Sequence, residues 1–359
     1  MNKQRINQVT ENMKKAGLRQ IIVSSTASLY YLTGLWVEPH ERMIALYLDD
    51  LGRYVLFGNE IFGLKSMPDL PLICHKDIDN PVEDLAKAVK AGKLGIDKFW
   101  SSKFLIELME LRKDIVPVQG SAPVDRARTM KDQTEITLMR NNSRINDQVV
   151  GAVIAMLKDG VAENYLASQV NKHFRQNGAD CEGTQLVCFG ANGADPHHSG
   201  DSTVLKAGDS VIFDIFTPLN RYWCDMTRTV FYKTVTDRQR QVYDLVKQAN
   251  ETAISRIKPG VLLSEIDKTA RDIITQGGYG EYFTHRLGHG IGLECHEPPD
   301  VSLASDIPLE VGMIFSVEPG IYLPGEFGVR IEDLVMVTED GCEVLNQYPK
   351  ELQVVDWSI

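Results

Sequence analysis

Apolar positions in the first third of the chain switch between two periods. Residues 3–16 recur at helical spacing, and 20–25 (QIIVSS) form a strand-like run. Further strands are predicted at 43–48 (MIALYL) and 54–58 (YVLFG). Asn80-Pro81 opens a helix, because proline suits the first turn, and that helix closes near Ala91-Gly92. Residues 94–97 (LGID) read as a strand and 102–113 as a helix. The alternation predicts a small α/β unit ending near residue 117. Over 118–131 (VQGSAPVDRARTMK) the periodicity lapses, so a domain boundary is expected there, dividing the chain into 1–125 and 126–359.

Helical spacing dominates after that point. Asp132-Gln-Thr-Glu135 has the form of a capping box, which predicts a long helix closing at Gly160. A second helix is expected at about 162–177 and two more at 237–258 and 264–276, each ended by glycine or Pro-Gly. Strand-rich segments lie between and after these pairs, and no short-period repeat stands out.

Two of those segments carry carboxylates where an apolar residue is expected. In SVIFDIFT (210–217), Asp214 interrupts an apolar run of strand length. A lone buried carboxylate is costly unless it is paired, protonated or bound to a cation. PLNR follows as a turn, and then YWCDMTRTVFY, which alternates and carries Asp225. A symmetric hairpin centred between Leu219 and Asn220 would set Asp214 directly opposite Asp225, with Cβ atoms about 4.5–5.5 Å apart. An asymmetric turn would instead point the aspartates apart. Near the C-terminus, MIFSVEPGIY (313–322) and GVRIEDLVMV (328–337) form a looser hairpin centred on Gly325, with Glu318 and Glu332 opposed. Four gathered carboxylates require cations to stay ionised. Such a set with one imidazole suits Mn²⁺ and tolerates Co²⁺, Fe²⁺ or Zn²⁺, and four carboxylates are enough to bridge two metals.

Composition narrows the partners. The chain has 359 residues, with 49 acidic against 38 basic and a formal charge of −11, which argues against a nucleic-acid-binding surface. The six cysteines include no CxxC pair and read as free thiols of a reducing compartment. The N-terminal stretch lacks the apolar core of a signal peptide, and no apolar run approaches a membrane span. A cytoplasmic protein without membrane attachment is expected.

Three of the eight histidines fall within FTHRLGHGIGLECHEPPD (283–300). Glycines flank His289, and glycine lets backbone approach closely, so His289 can supply the imidazole. His285 is open to a structural or a substrate role. Cys224 and Cys295 neighbour candidate ligands and read as packing residues, since successive strand residues point to opposite faces. Of His197 and His198, only one would face a site.

With these residues assembled, the sequence resembles the pita-bread (creatinase/aminopeptidase P fold) metallopeptidases, and within them the Xaa-Pro dipeptidases (prolidases) and Xaa-Pro aminopeptidases. The matching pieces are FDIFTPLNRYWCDMTRTVF, THRLGHGIGLECHE, SVEPGIY and GVRIEDLV, with GANGADPHHSGD as a further loop. The resemblance is strong from about residue 130 onward; before that it rests on size and the YYLTGL region. It implies an α+β fold: a C-terminal pita-bread catalytic domain with a smaller N-terminal α/β creatinase-type domain. It implies Asp214, Asp225, His289, Glu318 and Glu332 as ligands of two divalent metal ions per subunit, with Asp225 and Glu332 bridging. It implies Glu318 as general base, His197 and His296 as groups that hold substrate and stabilise the oxyanion, and Arg330 as an orienting partner of a ligand carboxylate. The implied substrate is a di- or oligopeptide with proline second, and the implied assembly is a homodimer.

Two departures from the family pattern bear on specificity. Phe216 stands two residues after the first aspartate, where glycine is frequent in the family. The run after His296 is EPPD, and Asp300 falls roughly where many prolidases carry an arginine that grips a dipeptide carboxylate. Arg286 is a candidate substitute, and longer peptides become the alternative substrate. A non-peptidase hydrolase and a catalytically dead binding module on the same fold are the remaining rivals. The complete set of five ligands weighs against the last.

Overall fold

A computed structural model describes residues 1–65 and 67–356. The chain divides into two compact units, Met1–Arg128 and one beginning at Thr129.

In the first unit, helices α1 (Lys3–Lys15) and α2 (Thr26–Thr33) accompany a six-stranded sheet. Its strands are β1 (Gln20–Val23), β2 (Ala45–Asp49), β3 (Tyr54–Asn59), β4 (Leu72–His75), β5 (Gly92–Ile96) and β6 (Ile115–Gln119), in the order β4-β3-β2-β1-β5-β6. Only β2 runs against its neighbours. Helices α3 (Pro81–Ala88) and α4 (Ser102–Leu111) pack Val82, Leu85, Phe104 and Leu108 against Ile22, Tyr47, Phe57 and Leu94 of the sheet. Asn80 caps α3 by accepting from Val82 N–H, with Pro81 in the first turn as expected. The segment expected to lack periodicity holds the end of β6 and a two-turn helix, α5 (Ala122–Thr129). Pro117 and the half-polar pattern of β6 mask an edge strand, which the alternation rule does not detect.

The second unit is built twice. Each half starts with a helix pair, α6 (Gln133–Ile154) with α7 (Glu163–Gln176), then α8 (Asp237–Ser255) with α9 (Leu263–Gln276). The Asp132/Glu135 capping box is present, and Thr236/Gln239 forms its counterpart at α8. The turn before α7 has Gly160 at φ 75°, and the turn before α9 has Gly260 at φ 88°. Leu205 N–H donates to Val161 in one half and Leu309 N–H to Val261 in the other. This internal duplication escapes a search for short repeats, because the matching helices lie far apart in sequence and share few identical residues beyond the turn glycines, Val161 and Val261 among them.

Strands β7 (Leu186–Phe189), β8 (Ser210–Leu219) and β9 (Tyr222–Tyr232) form a sheet that β17 (Val354–Val355) completes in the order β17-β9-β8-β7. It packs against α6 and α7 through Val150, Leu166, Phe174, Phe213 and Met226. The other half contributes β10 (Gly288–Gly290), β11 (Glu297–Val301), β12 (Ile314–Val317), β13 (Gly320–Leu323), β14 (Phe327–Arg330), β15 (Asp333–Val337) and β16 (Cys342–Val344). These make a five-stranded sheet, β11-β10-β12-β15-β16, and a separate β13-β14 ribbon.

The β8–β9 hairpin corrects one expectation. Leu219 pairs with Tyr222, so the two-residue turn is Asn220-Arg221, with φ of 51° and 70°. Such turns need positive φ at both positions; asparagine tolerates this, whereas Leu219 would be strained. Moving the turn one residue shifts the register by two. Asp214 therefore pairs with Thr227, and Asp225 with Phe216. An even shift keeps both aspartates on one face, as diagonal rather than direct neighbours. The C-terminal hairpin is centred on Gly325 as expected, and one register runs through β13–β14 and on through β12–β15.

Candidate active site

Glu318 and Glu332 lie in the gap between those two ladders. There the backbone leaves its hairpin partner: Glu318 N–H donates to Leu287 O at 2.8 Å, and Glu332 N–H donates to Thr227 O at 3.1 Å. Both side chains are freed to turn toward β8–β9. Together with Asp214, Asp225 and His289 they line a cavity of about 590 Å³. His197, His285, Arg286, His296 and Arg330 also reach it.

The glycines around His289 have a steric cause. A Cβ on Gly288 would lie 1.9 Å from Ser316 O, and one on Gly290 would lie 2.5 Å from Glu297 O. Glycine thus lets β10 sit tightly between β11 and β12 and pushes the imidazole between the carboxylates. Its Nδ1–H donates to Gly290 O at 3.1 Å, which leaves the Nε2 lone pair facing inward. Nε2 lies 3.4 Å from Glu318 Oε1 and 3.9 Å from Asp225 Oδ2. Burial, and then the nearby His296, lower its pKa to about 3, so the ring is neutral.

Donor atoms of Asp225, His289 and Glu332 all lie within 4.8 Å of one another, and all three residues are buried. Burial, and then Asp214 and Glu318, raise Asp225 far above the carboxylate range. Burial, and then Asp225, do the same to Glu332. Burial is also the main cause that pushes Glu318 to about 7. The Oδ1 atom of Asp225 is buried and has no hydrogen-bond partner among the described residues. A neutral imidazole lone pair, an unsatisfied carboxylate oxygen and mutually repelling acids form an oxygen-rich donor set that divalent cations fit.

Arg330 is the principal positive charge inside the cluster. Its Nη2 donates to Asp214 Oδ2 at 2.6 Å and its Nε to Thr227 Oγ1 at 3.1 Å. Thr227 Oγ1 in turn donates to Glu332 Oε2 at 2.9 Å. Arg330 Nη1 donates to Tyr322 OH at 2.8 Å. Tyr322 donates onward to His285 Nε2 at 2.8 Å, because His285 Nδ1–H is committed to Arg286 O at 2.7 Å. Burial lowers His285 to about 4, and Arg330 adds to the effect.

The remaining histidines divide. The His296 ring stands edge-on to that of His289, with centroids 4.1 Å apart. His197 lines the cavity, while His198 turns away to Glu163. Cys224 is fully buried in packing, as expected, but Cys295 is not a packing residue. Its Sγ donates to Asp225 Oδ2 at 3.4 Å and it lines the cavity. The alternation rule misplaces it because residues 292–296 form bends, outside any strand. Sequence reasoning also missed Tyr322, whose hydroxyl joins two site residues across the β13–β14 ribbon.

Comparison with known proteins bears on what the site does. The pattern of metallopeptidase family M24 matches residues 137–339, and the creatinase/prolidase N-terminal domain matches 5–130. YkvY of Bacillus subtilis (strain 168) is 36% identical over 361 residues, covering 98% of this chain and 99% of the relative. The prolidase of Thermococcus sibiricus superposes with a TM-score of 0.91 at 32% identity, covering 99% of both chains. The Xaa-Pro dipeptidase of Bacillus anthracis gives a TM-score of 0.89 at 29% identity, covering 98% of this chain and 99% of the other.

Proposed function

From the premise that this chain belongs to metallopeptidase family M24 and is a peptidase, we propose that it is a dinuclear-metal Xaa-Pro dipeptidase, releasing an N-terminal residue from proline. The observation that carries the reading is the convergence of buried Asp225 and Glu332 with Glu318 on the inward lone pair of His289. On this reading Asp214, Asp225, His289, Glu318 and Glu332 would hold the ions. Mn²⁺ is the first choice for so oxygen-rich a set. The ions supply two things when bound: acidification of water near neutral pH and polarisation of the scissile carbonyl. Residues 1–125 would be the companion domain and 126–359 the catalytic one.

The side chains supply the rest. Glu318 is the carboxylate placed to take a proton from attacking water and return it to the leaving proline nitrogen. His197 and His296 offer ring N–H groups to the developing oxyanion. Burial lowers the pKa of His296, so it donates as a neutral ring. Arg330 holds Asp214 against Tyr322 and so fixes the carboxylate's direction. A leaving proline nitrogen has no N–H, so the site needs no acceptor for one.

A second reading, cleavage of longer Xaa-Pro peptides, is favoured by one contact. Arg286, the cavity's other guanidinium, is paired with Asp300 at 3.1 Å and is thus partly neutralised toward a free substrate carboxylate. Hydrolysis of Ala-Pro, Ala-Pro-Gly and Ala-Ala, with metal content measured in parallel, separates the readings. The dipeptidase reading expects Mn²⁺-dependent cleavage of Ala-Pro. Turnover of the tripeptide alone selects the second, and activity that survives exhaustive chelation removes both.

A further inference from the structure

Glu163 and Leu263 occupy equivalent positions, as the first residues of α7 and α9 in the two halves of the catalytic unit. Each donates its N–H to the matching strap, Glu163 to Thr203 O at 3.1 Å and Leu263 to Ile307 O at 3.0 Å. Neither side chain is exposed. Leu263 packs into the apolar core of its half, so the fold at this point is satisfied by hydrocarbon. A carboxylate in the same place carries a desolvation cost that its partners must offset.

Those partners all lie on one segment. Glu163 Oε1 accepts from Phe189 N–H at 2.6 Å and Asn192 Nδ2 at 3.1 Å. Its Oε2 accepts from Asn192 Nδ2, His198 Nε2 and Asp201 N–H, each at 3.1 Å. His197 falls inside the stretch that these bonds bracket, and no strand ladder supports residues 195–201. The cavity side adds one direct tie, from Arg330 Nη1 to Pro196 O at 3.3 Å. The other half shows a related device one turn further along. There the buried Asp267 of α9 accepts from Leu287 N–H at 2.9 Å and holds the segment leading to His289.

We infer that Glu163 is a positioning residue for His197: its buried carboxylate fixes the loop that aims this histidine into the cavity. The inference rests on the role given to His197 above. Glutamine keeps the volume of Glu163 but offers one acceptor oxygen, and its N–H₂ would confront a donor. Leucine copies the solution used at Leu263. Because an oxyanion donor acts on the transition state, loosening it lowers kcat more than it changes KM.

The test measures Ala-Pro hydrolysis by metal-loaded Glu163→Gln and Glu163→Leu, each alone and combined with His197→Ala, with bound metal quantified. The expected result is an about tenfold fall in kcat for Glu163→Gln, with KM within about twofold and metal content unchanged. Glu163→Leu should fold and fall at least as far. In the His197→Ala background neither change should lower kcat further, because both act through one group. Losses that multiply in the double variants, or kcat within about twofold of wild type, overturn the inference. If Glu163→Gln does not fold, His198→Asn removes one bracket and should show a smaller loss that also vanishes with His197→Ala. An unchanged kcat in His197→Ala alone leaves Glu163 nothing to position and overturns it too. Absence of Ala-Pro hydrolysis by the wild type is a separate outcome and sinks the functional reading instead.

Discussion

Glu332 and Asp333 are adjacent acids, both buried, and their surroundings push them in opposite directions. Glu332 faces the cavity, where burial and then Asp225 raise it far above the carboxylate range. Asp333 faces the opposite way. Burial would raise it, but Arg228 and Lys350 outweigh burial and hold it below the ordinary value. Arg228 donates to Asp333 Oδ1 at 2.8 Å, and Lys350 Nζ donates to Oδ2 at 2.8 Å. On one side the chain supplies enough countercharge to hold its carboxylate low; on the other, Arg330 does not offset burial and the neighbouring acids. Burial of a carboxylate therefore says little about function until its cations are located.

The largest test removes an acid from the cavity side. Glu332→Gln, or Asp225→Asn, should lower Ala-Pro turnover by more than about a thousandfold, or about 4 kcal/mol of transition-state stabilisation. The fold should survive. Near-normal turnover in either variant would break the distinction between the two faces.

Asp333→Asn is the mirror experiment. It leaves Arg228 buried without its carboxylate, a change that costs about 3–5 kcal/mol in comparable buried pairs. Activity per folded, metal-loaded molecule should stay near wild type. Denaturant unfolding together with kcat on the surviving fraction checks both halves of the statement.

The pH dependence separates the faces without mutation. Asp225 and Glu332 are raised in the folded protein, so the folded state binds more protons than the unfolded one. Metal-stripped protein should therefore lose stability as pH rises above about 4, the ordinary carboxylate value. Asp333 is lowered, so its contribution is full above that value and is lost as pH falls through the lowered one. Thermal unfolding of stripped protein should give a maximum on the acid side of neutrality, and added Mn²⁺ should lift the neutral side. Stability of stripped protein that climbs steadily to pH 8 would contradict the raised pair.

How much of this contrast the sequence reveals depends on how local each cause is. The Asp132/Glu135 capping box, the stops of α7 and α9 near Gly178 and Gly277, and the hairpin centred on Gly325 are local and legible residue by residue, whereas α6 ends at Ile154, short of the expected Gly160, and α3 at Ala88, short of Gly92. The aspartates of β8 and β9 are legible as a pair on one face, because an even register shift preserves parity, but their exact pairing depends on whether Leu219 or Arg221 takes the left-handed turn position. The roles of Tyr322 and Cys295 were not legible. One depends on a hydroxyl that bridges Arg330 and His285, the other on bends that cancel strand alternation. The duplication of the catalytic unit was hidden for a similar reason: Gly160 and Gly260 recur, while Glu163 and Leu263 do not resemble each other.

The smallest effect comes from Lys350, and it tests which cation secures Asp333. Arg228 does more than neutralise: its guanidinium also donates to the carbonyls of Thr227, Glu332 and Tyr348. Among the described residues, Lys350 Nζ bonds to Asp333 and Asn250, and its side chain is 18% exposed. Replacing Lys350 with Met keeps the aliphatic stem and removes one of two countercharges, so the loss should be about 1 kcal/mol. The acid limb of the stability profile should move to higher pH, because Asp333 loses part of what holds it low. Turnover should not change, since nothing on the cavity side has been touched. A Lys350→Met variant with intact stability but altered turnover would mean that the two faces of this strand are electrostatically coupled, and the separation drawn between Glu332 and Asp333 would fail.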